Sequence, residues 1–505
     1  MHDELARAEQ GVRELLTVRN DRWYPKFHIA GLAGWINDPN GLSYFRDRYQ
    51  VYFQHHPFSS KWGPMHWGHV SSADMVTWRR EPIAMAPSVE EDRDGVFSGS
   101  AVVSDDDELI VYFTGHRWRN GVNEDEGNLQ VQCMATSKDG IAFEKKGVLV
   151  DCPEGLVHFR DPKVWRMGDR SYMIFGACSA DKRGEVWLYT STDMRTWDFD
   201  RVVYRDPDPN TFMLECPDMF PLGDKWVITY CPMGRKPKKY RARNRDNAGY
   251  VVGTWSPGEE FHQLTEFRPI DWGANYYAPQ TFEAPDGRRI ILAWMGSFGI
   301  PAASQAEDGW CGQMTVHREL TLGDNNRLIS APIAELTKLR TSTHDFGPLT
   351  MGPNEAKVLA EDVDAAEVEI EIDLASSTAE RVGLAINKTP DGHETLVAYD
   401  DLARRVLVDR RNSGHGNRGY RAAPCSGSRV TLRVLRDRGS VEVFVNDGAE
   451  AVSSLIFAAD GPRSIELYTE SGDATIRRLV VHRLGSIWES EHQDGPRDLL
   501  SSGGQ

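Results

Sequence analysis

No stretch of this 505-residue chain approaches the roughly 20 apolar residues of a membrane span, so no membrane partner is expected. Positive charge is scarce. The 58 Lys and Arg face 75 Asp and Glu, a formal charge of −17, which argues against nucleic acid or an anionic lipid surface as partner. The first residues, Met1-His2-Asp3-Glu4-Leu5, lack a basic segment followed by an apolar one, so no signal peptide is expected. Seven scattered cysteines form no C-x-x-C pair; they fit reduced, mostly packing thiols in a cytoplasm, Cys216 among them, and offer no zinc site. The 15 histidines are dispersed. His66 and His69 lie in a strand-like segment, where positions i and i+3 face opposite sides. No metal and no cofactor are therefore expected.

Helical periodicity is also missing after about residue 25. Before it, residues 3–20 read as a short helix with Leu5, Val12, Leu15 and Leu16 on one side. Beyond it come short apolar runs punctuated by Gly, Asp and Asn: 50–53, 109–113, 172–175, 226–230 and 290–294. Hydrophobic residues make up 40% of the chain, including 15 Trp, enough for more than one core, and the length predicts two domains.

What is present is a repeat. Ser72-Ala73-Asp74-Met75-Val76-Thr77-Trp78 returns as Ser191-Thr192-Asp193-Met194-Arg195-Thr196-Trp197, and more weakly as Ser137-Lys138-Asp139-Gly140-Ile141-Ala142-Phe143. On the same ruler lie Asp38, Ser98, Asp161, Glu215 and Tyr277, each opening a unit of about 60 residues. Each unit reads strand, turn, strand, loop, strand, S-x-D corner, strand. The expected fold is all-β: a five-bladed propeller over 23–339, preceded by a helical extension over 1–22. Equivalent positions on the innermost strands of such a ring meet at one mouth, so Asp38, Asp161 and Glu215 are expected to converge.

The remainder reads differently. Residues 340–353, rich in Thr, Ser, Gly and Pro, read as a linker. Residues 367–374 alternate apolar and polar at period two, as do 430–434 and 441–445, the last ending in the hairpin signal Asn446-Asp447-Gly448. With further strands near 382–387, 405–410, 464–469 and 475–482, residues 354–488 are expected to form a C-terminal β-sandwich. Residues 489–505 read as a loose tail.

Three carboxylates precede a proline by one or two residues: Asp38-Pro39, Asp161-Pro162 and Glu215-Cys216-Pro217. Two carboxyl groups across a pocket are what glycoside hydrolysis needs. Glu215, beside Met213 and Leu214, is expected to be the protonated partner. Asp38, with Asn37 and Asn40 as donors, is expected to stay ionised. Arg160 is expected to keep its neighbour Asp161 charged. Trp35, Trp62, Phe97 and Trp294 supply apolar walls for a sugar.

These stretches, W-I-N-D-P-N-G at 35–41, F-S-G-S-A at 97–101, F-R-D-P-K-V at 159–164, E-C-P-D at 215–218 and Y-A-P-Q-T-F at 277–282, resemble glycoside hydrolase family 32 over about residues 23–485. That family holds invertases, sucrose-6-phosphate hydrolases, inulinases and levanases. The resemblance implies a five-bladed propeller with a β-sandwich, and metal-free, retaining hydrolysis of β-fructofuranosides. It implies Asp38 as nucleophile, Glu215 as acid/base and Asp161 as transition-state stabiliser. Asn37, Gln54, Trp62, Phe97, Ser98, Arg160 and Trp294 fall at substrate-contacting positions. The stretch Trp62–His69 is similar to the bacterial, intracellular branch. Three departures bear on acceptor and leaving-group specificity: Gln54-His55-His56-Pro57 for the commoner Q-Y-N-P, Asn275 for Asp, and His317 for Pro.

The expected partner is a small fructoside such as sucrose; homo-oligomerisation stays open. A fructosyltransferase, a fructan- or phosphosucrose-specific hydrolase and a non-catalytic sugar-binding propeller are the alternatives. One basic stretch, Arg235 to Arg245, holds seven Lys or Arg. Strand direction puts this loop at the pocket rim, where it is expected either to stay a solvated loop or to favour a phosphorylated substrate.

Overall fold

The computed structural model describes residues 1–489; the tail expected from 490 onward lies outside them. The chain is nearly all-β, a β-propeller followed by a β-sandwich. The leading helix, His2–Leu16, buries Ala8, Val12 and Leu16 near Ala33 and Ile83.

Antiparallel sheets follow one another along the chain from Gly34–Phe45 to Arg327–Pro332. Their first strands are Gly34–Phe45, Gly95–Val103, Phe159–Met167, Met213–Leu222 and Tyr277–Glu283. Each lies beside the first strand of the next sheet, and the last lies beside the first, closing a ring. Trp310–Cys311 stitches it further by pairing in parallel with Gly34–Trp35.

The S-x-D corners have one construction. Asp74 accepts from the N–H groups of Val76 and Thr77, Asp139 from Ile141 and Ala142, and Asp193 from Arg195 and Thr196. These are Asx turns, with the carboxylate standing in for a backbone acceptor. The next residue has positive φ every time: 60° at Met75, 79° at Gly140 and 59° at Met194. Trp78, Phe143 and Trp197 then anchor the corner by burial.

The second unit is two stacked sheets. Along Ala366–Asp373, Val368, Ile370 and Ile372 fill the core between them, as period-two alternation demands. The stretch read as a linker is not a bare connector. Arg340–Asp345 and Leu349–Met351 pair with the last strand, Ala474–Leu484. Thr341, Ser342 and Thr343 are exposed on this edge strand, and a polar composition alone does not separate that from a loop.

Propeller and sandwich share a buried ionic seam. Arg318 bonds Asp271 at 3.0 Å and also Glu442. His28 lies between Asp437 at 2.8 Å and Glu442 at 2.9 Å. The backbones touch at Gly273, where a Cβ would lie 1.8 Å from the Ser453 carbonyl oxygen. Burial opposes protonation of His28, but bonds to Asp437 and Glu442 and their charges push its pKa up to about 9. A cation whose folded pKa is raised stabilises fully below its unfolded value, about 6.5, and loses that contribution as pH rises through about 9. His28→Gln is therefore expected to melt well below the wild type near pH 6, with the gap shrinking as pH passes about 9; thermal denaturation across that range checks it, and a pH-independent gap would contradict it.

Candidate active site

Each first strand of the ring carries the same irregularity. Pairing with the second strand slips between Ile36 and Pro39, Val96 and Gly99, Glu215 and Asp218, and Tyr277 and Gln280. In the third sheet it slips between Arg160 and Lys163. A bulge leaves residues out of the ladder and re-aims their side chains. That explains three of the prolines: Pro162, Pro217 and Pro279 lie inside the slip, where no ladder N–H is required. Pro39 and Gly99 close their slips opposite Phe53 and Phe113, and a Cβ at Gly99 would meet the Tyr112 carbonyl oxygen at 1.9 Å. Asp161, Cys216 and Ala278 have φ of 67°, 46° and 49°, a conformation few side-chain-bearing residues adopt. Such strain persists where surrounding structure over-determines it, often at functional sites.

The bulged residues converge. Asp38 accepts from Ser98 Oγ at 2.7 Å and Asn37 Nδ2 at 3.0 Å, and Trp35 Nε1 fixes Asn37 at 2.7 Å. Asp161 accepts from the Cys216 N–H at 2.9 Å. The Cys216 thiol lies between two carboxylates, 3.4 Å from Asp38 and 3.6 Å from Asp161. Glu215 accepts from Arg160 Nη2 at 2.6 Å and from the Tyr277 hydroxyl. Beneath them, Lys163 pairs with Asp218 at 3.1 Å, and Asp218 accepts from the Thr281 N–H at 2.7 Å.

The electrostatics differ from the expectation drawn from neighbours in sequence. Arg160 does not serve Asp161 first: its Nε is 3.9 Å from that carboxylate, whereas its Nη2 reaches across to Glu215. Burial raises the Glu215 pKa, but the Arg160 charge and bonds from Tyr277 and Arg160 outweigh it and hold the group below the usual range. Burial pushes Asp38 up, against its bonds from Asn37 and Ser98 and with help from the Glu215 charge. Asp161 rises to about 7 through burial, opposed by Arg160 and reinforced by the charges of Glu215 and Asp38. Arg160 lies between Glu215 and Asp161 and favours the anion of Glu215, while burial pushes both aspartates toward protonation. Titration belongs to the set rather than to any one member.

Other expected contacts fall into two groups. Asn37, Ser98 and Arg160 touch the carboxylates directly. Trp62 is 39% exposed and meets Phe97 edge-on at 6.1 Å, while Phe97 stacks on His116 at 4.0 Å. Gln54 and Trp294 are buried. Gln54 donates to the Val96 carbonyl at 2.9 Å, and Trp294 packs on Trp35 and Phe298. Tyr277, which the repeat marks without a role, and Cys216, expected only to pack, both touch the site. Phe298 and Asp246, which accepts from Ser297 Oγ at 2.6 Å, left no signal. The departures have structural partners. His55 Nδ1 lies 2.9 Å from the Trp35 carbonyl, His317 stacks on Trp78, and Asn275 accepts from the Leu455 N–H.

The basic loop is also placed differently. Its middle leans on the sandwich: Tyr240 lies under Arg405 at 3.7 Å, and Arg421 bonds Asn244 at 2.8 Å. Arg235 is held by Asp206 at 2.6 Å. The long loop bends toward the neighbouring unit, which strand direction within one sheet does not foretell. Among the described residues, Glu367, Glu369 and His482 are near enough to share an ion. Both carboxylates already pair with arginines, Glu367 with Arg340 and Arg433, Glu369 with Arg340 and Arg478.

Comparison with known proteins agrees with the motifs. Residues 28–332 match the glycosyl hydrolases family 32 N-terminal domain, and residues 335–483 the family 32 C-terminal part. The chain is 42% identical to a sucrose-6-phosphate hydrolase of Escherichia coli over 479 residues, 95% of this chain and 98% of the relative. It is 40% identical to a raffinose invertase of Escherichia coli, covering 97% and 99%. Its structure is similar to the family 32 beta-fructofuranosidase of Bombyx mori, with a TM-score of 0.84, 31% identity and coverage of 96% and 99%; a mutant of that enzyme was solved in complex with sucrose.

An acid whose folded pKa is raised weakens the fold as pH climbs from its unfolded value toward the folded one. For Asp161 that window runs from 3.8 to about 7, and the penalty is complete above it. Asp161→Asn is expected to melt higher than the wild type at about pH 8, with the gain fading toward about pH 4. Melting curves at both ends check this; a variant less stable at the alkaline end would contradict it.

Proposed function

The chain belongs to glycoside hydrolase family 32, and on that premise we propose that it cleaves terminal β-D-fructofuranosides by a retaining, two-step mechanism with Asp38 as nucleophile. It is a fructoside hydrolase of the β-fructofuranosidase type. The observation that carries the mechanism is the convergence of Asp38, Asp161 and Glu215 around Arg160 and Cys216. Asp38, oriented by Asn37 and Ser98, attacks the anomeric carbon of the fructosyl unit. The leaving oxygen takes a proton from Glu215, and Glu215 then draws a proton from the water that releases fructose. Asp161 accepts sugar hydroxyls and stabilises the positive charge developing on the ring.

The proton history follows from the charges. In the empty pocket the proton favours the aspartates, because Arg160 and Tyr277 stabilise the ionised Glu215. A fructosyl unit whose hydroxyls donate to Asp161 and Asp38 makes both better anions, and the proton passes to Glu215. When the ester forms, the Asp38 charge is gone, and Arg160 restores Glu215 as the base.

The five sheets are read as the blades of a five-bladed propeller, supported by the closed ring of first strands. The units proposed are 1–22, 23–339, the segment 340–353, 354–488 and the tail 489–505. Seven unpaired cysteines support a reducing compartment and so a cytoplasmic enzyme. Sucrose or a related short fructoside is the proposed substrate, in keeping with the names of the relatives.

With sucrose, equimolar glucose and fructose are expected. Asp38→Asn is expected to lower kcat about a thousandfold or more without unfolding the protein. Glu215→Gln is expected to lose about 10²–10⁴-fold on sucrose and far less on a fructoside with a good leaving group. Near-wild-type turnover by Asp38→Asn, or steady accumulation of trisaccharide in place of free fructose, would overturn the reading.

A further inference from the structure

A cavity of about 60 Å³ lies where the basic loop meets the sandwich, lined by Arg243, Arg245, Arg410 and Arg421 with no carboxylate among its lining residues. The larger grooves nearby differ: Asp208, Glu266 and Asp271 share one with the loop's arginines and lysines, and Asp324 and Glu450 share the other. Their charge is interleaved. Only the small cavity is purely cationic.

Arg410 makes that arrangement costly. It is 3% exposed, and its Nε and Nη2 have no partner; its one side-chain bond runs from Nη1 to the Leu455 carbonyl at 3.4 Å. The adjacent Asp409 does not compensate, because Arg411 takes both its oxygens, at 3.0 and 2.9 Å. A guanidinium removed from water with bare N–H groups is strongly disfavoured unless an anion meets it. Two free nitrogens on one edge suit a tetrahedral oxyanion bound through two oxygens. Arg421 is already fixed by Asn244 and the Arg243 carbonyl. Arg243 and Arg245 stand on the loop above, and Asp246 beside them is engaged by Ser297 and Phe298.

We propose that Arg243, Arg245, Arg410 and Arg421 form a phosphate-binding site at the junction of propeller and sandwich. The site borders the catalytic pocket through one loop. Ser297 and Ile300 line the cavity. Between them Phe298 packs on Trp294 at 4.8 Å and on Tyr277 at 6.1 Å, and Tyr277 bonds Glu215. Gly299 sits against the Arg245 side chain, where a Cβ would lie 2.2 Å from Cδ. The phosphate is either one carried on the substrate's leaving group or free phosphate that braces the Phe298 loop. Only this question of source rests on the proposed fructoside hydrolysis; the site itself does not.

The test is melting of the full-length enzyme in inorganic phosphate against chloride at matched ionic strength. Phosphate is expected to raise Tm along a saturating curve that chloride does not reproduce. Arg410→Gln should weaken the phosphate response by at least about tenfold. The double variant Arg243→Gln/Arg245→Gln, altered on an exposed loop, should do the same and guards against misfolding of the buried one. An equal effect of chloride, or a saturating phosphate response retained by both variants, overturns the site. Kinetics then separate the sources, each of which supports it. If the phosphate belongs to the substrate, the double variant raises KM for sucrose 6-phosphate about tenfold, leaves sucrose unchanged, and phosphate competes with sucrose 6-phosphate. If it is free phosphate, both KM values stay put and phosphate binds alongside sucrose.

Discussion

One extra residue in the innermost strand of every sheet is the constraint on which the site depends. A regular ladder would alternate side chains up and down the sheets and send none into the mouth of the ring. The slips after Ile36, Val96, Arg160, Glu215 and Tyr277 turn five strands toward one axis. Side chains beside them also knit the sheets together, between neighbours and, at Gln280, from the fifth sheet to the second. Asn40 accepts from the Gly99 N–H, Gln280 donates to the Gly99 carbonyl, and Ser100 accepts from the Val164 N–H. The same bulges thus shape the pocket and hold the ring around it, which leaves little room for substitution at the prolines and at Gly99.

Charge then divides the labour among three carboxyls that share one pocket. Asp38 is buried with neutral donors and Asp161 with the more distant edge of Arg160, and burial pushes both toward protonation. Glu215 holds the guanidinium and a phenol, which keep its pKa below the usual carboxylate range. A general acid need not be the group with the highest pKa in the empty pocket. It needs a proton within reach and a reason for that proton to move, and hydroxyls donated to the aspartates supply the reason.

Much of this was legible in the residues. The S-x-D corners repeat because one Asx turn with one left-handed residue is built again and again, and that chemistry shows in sequence. Asp38, Asp161 and Glu215 stood out because proline marks each bulge. Alternation at Val368, Ile370 and Ile372 announced the sandwich. What stayed hidden depends on distance across the fold. Arg160 was assigned to Asp161, its neighbour in sequence, and reaches instead to the next sheet. The basic loop was read against its own sheet and instead rests on Arg405 and Arg421 of the other unit. Residues 340–345 look like a linker because an edge strand exposed along almost its whole length carries a polar composition.

The central claim is that Asp38 bonds covalently to the fructosyl unit, and peptide mass spectrometry tests it most directly. Glu215→Gln, given a fructoside with a good leaving group, forms the ester without needing an acid and hydrolyses it slowly for want of a base. One added fructosyl mass is expected on the peptide containing Asp38, and none when Asp38→Asn is added to the variant. Fructosyl mass on the Asp161 peptide, or rapid turnover with no adduct on any peptide, would contradict it.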